Sequence, residues 1–431
     1  MSKSSESVKI PASPAASARQ WLYGPVIAAS LLVCFWGAWS AGRAGLSRLL
    51  SKYGSISSQL VATDKAVLLA SSDAEAHYAR ATVLASLGRF QEALQSYREA
   101  VALRPRDYVL WMEMGQVYDQ MGDAESALVA FKEAARLAPY YAQSRWQAGN
   151  LLLRAGRLDE AFTELRRAAS SDPSLFNSTV DLAWNSFRGD VRRVEQAVAP
   201  QTAVERLALA RFLLAHQEIN EAVQLFHHVG AITETDRQVF VQDLLGAKRF
   251  NEAYEVWLDG HNELKEASIP GIINTGFEDD IRREDYGFGW QLRLDAPNTT
   301  ISPDLDNPYE GKRSLRIDFK GDLNPSISIV SQLLLVKPNT HYRLSFAART
   351  QDVVTGGLPI LTVLDADDQQ QTLAQTKPLP QGTSRWETYD VEFATTARTT
   401  AVTLALQRQS CGTQPCPIFG HLWLDDFAVQ Q

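Results

Sequence analysis

The sequence predicts a multidomain chain: an all-α helical-repeat solenoid followed by an all-β jelly-roll sandwich, with an N-terminal transmembrane helix. Three observations carry this. Pro105, Pro139 and Pro173 stand 34 residues apart, with other landmarks repeating in step. No charged residue occurs from Leu22 to Trp39. Near Ile269 helical periodicity stops and short alternating runs rich in Thr, Asn and β-branched residues take over. The 431 residues leave room for two or three domains. The net charge of −8 is spread without a basic run, which argues against nucleic acid as a partner.

Residues 1–20, rich in Ser, Ala and Pro and carrying Lys3, Lys9 and Arg19, have the composition of a disordered tail. Residues 21–41 follow as a transmembrane helix, with Trp21, Tyr23, Trp36 and Trp39 suited to the two interfaces. A cleaved signal peptide is the rival reading, since Ala38-Trp39-Ser40 offers small residues for a peptidase. The long polar head and the bulky Trp36 and Trp39 favour a retained anchor. Arg43, Arg48 and Lys52 follow the span and weaken the charge asymmetry that would set its direction. The expected location is a bacterial inner membrane, crossed once, with the bulk of the chain periplasmic or otherwise outside the cytoplasm. Residues 42–73 read as linker helices and a partial repeat, because Ala66 and Leu69 precede Ala100 and Leu103 by the same 34 residues.

Residues 74–173 form the regular array. Each proline is preceded by a glycine (Gly88, Gly122, Gly156), an alanine (Ala93, Ala127, Ala161), a large apolar residue (Tyr97, Phe131, Leu165) and a second alanine (Ala100, Ala134, Ala168) at fixed offsets. The alanines let two antiparallel helices approach closely, the glycine ends the first helix at φ > 0, and the proline stops the second. Asp73, Asp107 and Asp172 fall where a short acceptor can cap the next helix. The landmarks resemble the tetratricopeptide repeat, and in the middle unit the match extends to Trp111, Gly115 and Tyr118. Residues 174–265 look like degenerate helical repeats, marked by Ala222 with Phe226 and Ala253 with Trp257. The resemblance implies a concave groove lined by first helices. Aligning the units places Tyr78, Thr82, Met112, Gln116, Asp119, Trp146 and Asn150 there, a set suited to a peptide of a protein partner. Chaperone-binding relatives clamp a C-terminal carboxylate with Lys, Arg and Asn in this groove. Tyr78 and Thr82 depart from that pattern.

Residues 270–431 alternate as an antiparallel β-sandwich, with strands expected over Ser314–Phe319, His341–Arg349, Trp386–Phe393, Thr400–Gln407 and His421–Val429. Trp290, Trp386 and Trp423 lie within this pattern and are assigned to its core. Alternation turns Arg349 and Gln407 outward, and with Gln332 they are the candidates for a polar, glycan-binding face. Cys411 and Cys416 bracket a short loop and point to a disulfide of an oxidising compartment. Zinc is the alternative, with only His421 near. Asn274-Thr275-Gly276-Phe277-Glu278, Gly287-Phe288-Gly289-Trp290, Gly311 with Ser314-Leu315, Tyr342 to Phe346, and Trp423-Leu424-Asp425-Asp426-Phe427 resemble, in order, the galactose-binding-like jelly rolls that include carbohydrate-binding modules. That resemblance implies a structural calcium held by Glu278 and Asp425.

Catalytic chemistry is not indicated. The carboxylates Glu278, Asp279, Asp280, Glu284 and Asp285 crowd one stretch without a second separated pair, His227 and His228 have no metal spacing, and no phosphate loop or nucleophile elbow occurs. The sequence therefore reads as a membrane-anchored, non-enzymatic scaffold that binds a protein partner through the repeats and polysaccharide through the sandwich, in envelope or exopolysaccharide assembly. A scaffold for protein alone is the first rival and a glycoside-acting enzyme the second.

Overall fold

The computed structural model describes residues 15–261, 271–281, 286–368, 371–412 and 415–431, with side chains from residue 25 onward. Residues 1–14 of the predicted tail, with Lys3 and Lys9, the side chains of Arg19, Trp21 and Tyr23, and the carboxylates Glu284 and Asp285 lie outside the described residues. The chain divides into two compact units, residues 1–199 and 200–431.

The first unit begins with α1 (Ala15–Ser57), which starts inside the expected tail and runs unbroken past the expected span. Every residue from 25 to 43 is exposed. By length and composition this helix suffices to cross a membrane. Its C-terminal part packs on α2 (Leu60–Leu69), with Ser47 Oγ donating to the Ala66 carbonyl at 2.8 Å and Gly54 set tightly against Thr63. The expected partial repeat is thus a complete helical pair whose first member is borrowed from α1.

Four more pairs follow: α3 (Ala74–Ser86) with α4 (Phe90–Leu103), α5 (Tyr108–Gln120) with α6 (Ala124–Leu137), α7 (Ala142–Arg154) with α8 (Leu158–Ser171), and α9 (Leu175–Ser186) with α10 (Val191–Val198). The landmarks behave as their chemistry requires. Gly88, Gly122 and Gly156 have φ of 73°, 78° and 74°, and all six landmark alanines are 0% exposed. Within the pairs the first helix must stay small where the second brings a bulky side chain. A Cβ on Gly115 would stand 2.8 Å from the Phe131 ring, and one on Gly149 would stand 2.6 Å from Leu165 Cγ. Asp73 and Asp107 cap α3 and α5 by accepting the Glu75 and Val109 N–H groups, each at 3.1 Å.

The helical stretch 174–265, taken as one block from the sequence, is divided by the structure. Ala199 adopts a left-handed φ of 43°, Pro200 follows, and the next four helices belong to the second unit. These are α11 (Ala203–Ala215), α12 (Ile219–His227), α13 (Glu234–Gly246) and α14 (Phe250–Leu258). They are fastened to the β-rich remainder of that unit: Trp257 packs edge-on to Phe288 at 5.8 Å, Gln238 Oε1 accepts the Tyr286 N–H at 3.0 Å, and Lys248 Nζ donates to the Asp367 carbonyl at 2.6 Å.

The sandwich comprises β1 (Gln291–Leu292), β2 (Thr299–Asp304), β3 (Ser314–Asp322), β4 (Val330–Leu335), β5 (His341–Thr355), β6 (Pro359–Asp365), β7 (Thr372–Gln375), β8 (Glu387–Ala394), β9 (Ala401–Arg408) and β10 (Pro417–Gln430). One antiparallel sheet runs β1-β4-β9-β6-β7 and the other β2-β3-β10-β5-β8. Between them lies a core that includes Trp290, Leu315, Ile317, Leu344, Phe346, Leu404, Leu406, Leu422 and Phe427. β6 is buried at every position, so both of its faces are covered and alternation is invisible in its sequence.

Candidate binding surfaces

The 34-residue register puts the expected groove residues in two rows, Tyr78, Met112 and Trp146 in one and Thr82, Gln116 and Asn150 in the other. Met112 departs from the expectation: it is 8% exposed and packs with Leu128, Phe131 and Leu152, because its flexible thioether fills the space between successive pairs. The other five are half-buried. Thr82 Oγ donates to the Tyr78 carbonyl at 3.0 Å and Asn150 Nδ2 to the Trp146 carbonyl at 2.9 Å, so both side chains are partly spent on their own helices. Asp119 accepts Arg154 at 2.7 Å and joins two successive repeats rather than standing free. One residue went unmarked by the repeat pattern. Glu113 is half-buried beside Tyr78, with no ion-pair partner among the described residues, and burial holds its carboxyl above the ordinary range.

In the sandwich, alternation places Arg316, Trp423 and Arg349 on the outer side of neighbouring strands β3, β10 and β5, in one cross-strand row. Trp386 and Trp423 therefore belong to this outer face and not to the core, as read from sequence; Trp290 is core. The Arg349 guanidinium lies 4.0 Å from the Trp423 ring centre and 5.3 Å from that of Trp386. Its Nη2 donates to the Asp306 carbonyl at 3.1 Å and Trp386 Nε1 donates to the Asn307 carbonyl at 3.0 Å, so both pin the β2–β3 loop across the sheet. Trp423 Nε1 donates to Asp304 at 2.6 Å. Beside it Asp318 receives Arg316 at 2.7 Å and meets His421 at 2.6 Å. Burial pushes its carboxyl up, but these bonds outweigh that and hold it below the usual range. On this face Phe419 of β10 is 48% exposed, and beside Trp386, at 5.8 Å, stands Tyr309, 44% exposed. It follows an Asn-Pro turn, a weak signal that sequence reading passed over.

Gln407, half-buried on β9, donates to Ser328 at 3.2 Å. Gln332 is not on an outer face at all. It pairs in register with the inward Leu404, is 0% exposed, and spends its amide on the Ile273 N–H at 3.2 Å and carbonyl at 3.0 Å. A buried amide is satisfied by backbone here, a role that alternation alone cannot distinguish from a solvated one. The three glycan-face candidates thus lie on different sides of the sandwich. A separate cavity of about 250 Å³ opens between β1 and β2, lined by Trp290, Leu294 and Pro303 with Asp279, Asp280 and Arg313. Asp280 and Arg313 are joined by a 2.7 Å ion pair.

Glu278 and Asp425 converge on the loop between β2 and β3. Glu278 Oε1 accepts the N–H groups of Lys312 and Arg313 at 2.8 and 3.1 Å, which draw its carboxyl below the usual range. Asp425 Oδ2 accepts those of Tyr309 and Glu310 at 2.9 and 3.2 Å, and Oδ1 that of Asp426 at 2.8 Å; burial nevertheless pushes its carboxyl up. Gly311, at φ 67°, lets the loop close on Glu278, whose Oε1 would stand 2.1 Å from any Cβ there. Calcium wants six to eight oxygens around a hole. These oxygens face N–H donors, and among the described residues no group of three or more His, Cys, Asp or Glu could hold a metal. The arrangement does not fit the calcium that the resemblance implied.

Cys411 and Cys416 are joined in a disulfide. Beside it Arg408, 4% exposed, donates to the carbonyls of Leu323 at 2.6 Å, Cys416 at 2.9 Å and Gly357 at 3.1 Å and to Thr355 Oγ1 at 2.6 Å. His227 meets Asp259 at 3.0 Å.

The tetratricopeptide repeat family matches residues 74–107 and again 112–175, and the carbohydrate binding domain family matches residues 270–415. Similar solved structures include MamA 41-end from Desulfovibrio magneticus RS-1, 19% identical, covering 44% of this chain and 98% of that one with a TM-score of 0.32. YrrB, described as a TPR protein with an unusual peptide-binding site, is 22% identical and covers 36% of this chain and 84% of its own, at 0.30. Pseudomonas aeruginosa pilF is 16% identical and covers 53% and 95%, at 0.29. No curated protein matches the sequence.

Proposed function

We propose that this chain, which carries tetratricopeptide repeats and a carbohydrate-binding domain, is a non-enzymatic scaffold of a bacterial inner membrane that holds a protein partner on its repeats and contacts polysaccharide through its sandwich, in envelope or exopolysaccharide assembly. One observation carries the reading. α1 is a single continuous helix, apolar and exposed over residues suited to lipid and then, without a linker, the first helix of the solenoid. A binding surface mounted this way is confined near the bilayer, which raises its effective concentration toward targets there. On the repeats, Tyr78, Glu113, Gln116, Trp146 and Asn150 are the half-buried groups a peptide would meet. On the sandwich, Tyr309 and the edge of Trp386 are the aromatic surfaces a sugar ring would stack on.

The test uses the full chain, in its native membranes for capture and in detergent for polysaccharide binding. Photocrosslinkers at Gln116 and Trp146 capture one dominant protein in native membranes, and polysaccharide binding is lost in Tyr309→Ala with the melting temperature unchanged. A second reading, a scaffold for protein alone, is favoured by Gln332 being buried and Arg349 being committed to its own loop. Silence across a polysaccharide panel, with the protein still captured, selects it. Turnover of a glycoside would instead select an enzyme.

A further inference from the structure

We propose that two copies of this chain pair through α1 as a parallel coiled coil running from the membrane-crossing half of the helix into the first helical pair. The proposal rests on α1 crossing a membrane, which would set both copies in one direction and at one depth.

Leu32, Phe35, Trp39, Gly42, Leu46, Leu49, Tyr53 and Ile56 follow one another at alternating steps of three and four residues. This is the period of 3.5 at which one helix keeps a single face toward an in-register neighbour. The seven that carry side chains are all large and apolar or aromatic, and all are 49–77% exposed. Lipid accounts for only part of the stripe. A bilayer core of about 30 Å takes up about 20 residues, whereas Ile56 lies about 22 Å beyond Ala41 at 1.5 Å per residue. By then the helix is already embedded in the solenoid: Ser47 and Ser51 are buried, and Arg43 and Arg48 turn back to the Leu69 carbonyl at 2.9 Å and Asp73 at 3.3 Å.

In the repeat register two of these positions, Leu46 and Leu49, fall where later pairs bury side chains, whereas Tyr53 falls where Leu87 and Met121 are exposed. Leu46 corresponds to Arg80, Met114 and Ala148, and Leu49 to Val83, Val117 and Leu151. Met114 and Val117 pack on Ala81, Leu84 and Leu94 of the preceding pair, and Ala148 and Leu151 on Leu128 and Phe131 of theirs. The first pair has no predecessor among the described residues, so its stacking positions are open and apolar, where a solenoid end is ordinarily polar. The 3.5-residue period selects what covers them. Two copies side by side in one membrane would present identical seams in register. Gly42, with nothing within 4 Å of where its Cβ would be, lets the helices draw close between Trp39 and Leu46.

The test is oxidative crosslinking of the full chain in its native membranes, in a Cys34→Ser background, with Cys411 and Cys416 already paired. Leu46→Cys, Leu49→Cys, Tyr53→Cys and Ile56→Cys are each compared with Lys52→Cys and Ser55→Cys. Disulfide-linked dimer is expected at the four seam positions, at about ten times the flanking level. Because Leu49 is exposed within one chain, Leu49→Glu leaves the helix content unchanged, and it lowers crosslinking at position 53 by about tenfold. Monomer throughout, equal crosslinking at all positions, crosslinking indifferent to Leu49→Glu, or capture of a different membrane protein by the seam overturns the pairing. Alkaline carbonate separates the two claims. A chain washed from the membrane refutes the anchor, whereas a chain retained but never crosslinked refutes the pairing alone.

Discussion

Arg349 stacks on Trp423, its guanidinium carbon 4.0 Å from that ring centre and 5.3 Å from the ring centre of Trp386. The stack fastens a loop over the sheet through the carbonyls of Asp306 and Asn307. Arg349→Lys keeps the charge but loses the planar fit, and is expected to cost about 1 kcal/mol. Equilibrium denaturation of the second unit's transition measures it.

Arg408 should matter more. Its buried guanidinium is satisfied by backbone carbonyls and Thr355, and Arg408→Met would leave those acceptors without a donor. A loss of about 3 kcal/mol is expected, read as a lower denaturation midpoint at unchanged slope.

The Glu278 lock is expected to work without metal. Chelator leaves the melting temperature unchanged, whereas Gly311→Ala, clashing with Glu278 and holding a strained φ, lowers stability by about 2 kcal/mol. Because the Glu278 carboxyl is depressed by the Lys312 and Arg313 N–H groups, its contribution is present above the ordinary glutamate range and is lost as pH falls below it. Glu278→Gln should remove that acid dependence.

Glu113 gives the opposite sign. Burial raises its carboxyl, so the folded chain binds more protons than the unfolded one, and stability falls as pH rises through and above the ordinary glutamate range. Glu113→Gln is expected to raise the melting temperature at pH 7, and the two proteins should converge in acid, as scanning calorimetry would show. A basic peptide seated beside Tyr78 would lose affinity in the same variant.

The repeat was legible because its landmarks are local and steric: a φ > 0 glycine, alanines where helices touch, a proline where one stops. The same locality located five strands, β3, β5, β8, β9 and β10. It missed the other five, β1, β2, β4, β6 and β7; the two buried faces of β6 erase alternation, and β1 is only two residues long. The site residues fared unevenly for one reason. Alternation says which way a side chain points, not what lies there, and a polar residue such as Gln332, a candidate by its type alone, can face inward to the Ile273 backbone. Trp423 was read as core when an arginine and a loop cover it from outside.

The sequence by itself determined the repeat, the sandwich and the apolar helix, because each is written in short-range period and in single residues with narrow conformational choices. Only tertiary structure decided that α1 supplies the first helix of the solenoid, that α11 to α14 belong with the sandwich, and that Glu278 and Asp425 face N–H groups. Those outcomes depend on which distant surfaces meet, and no local period records that.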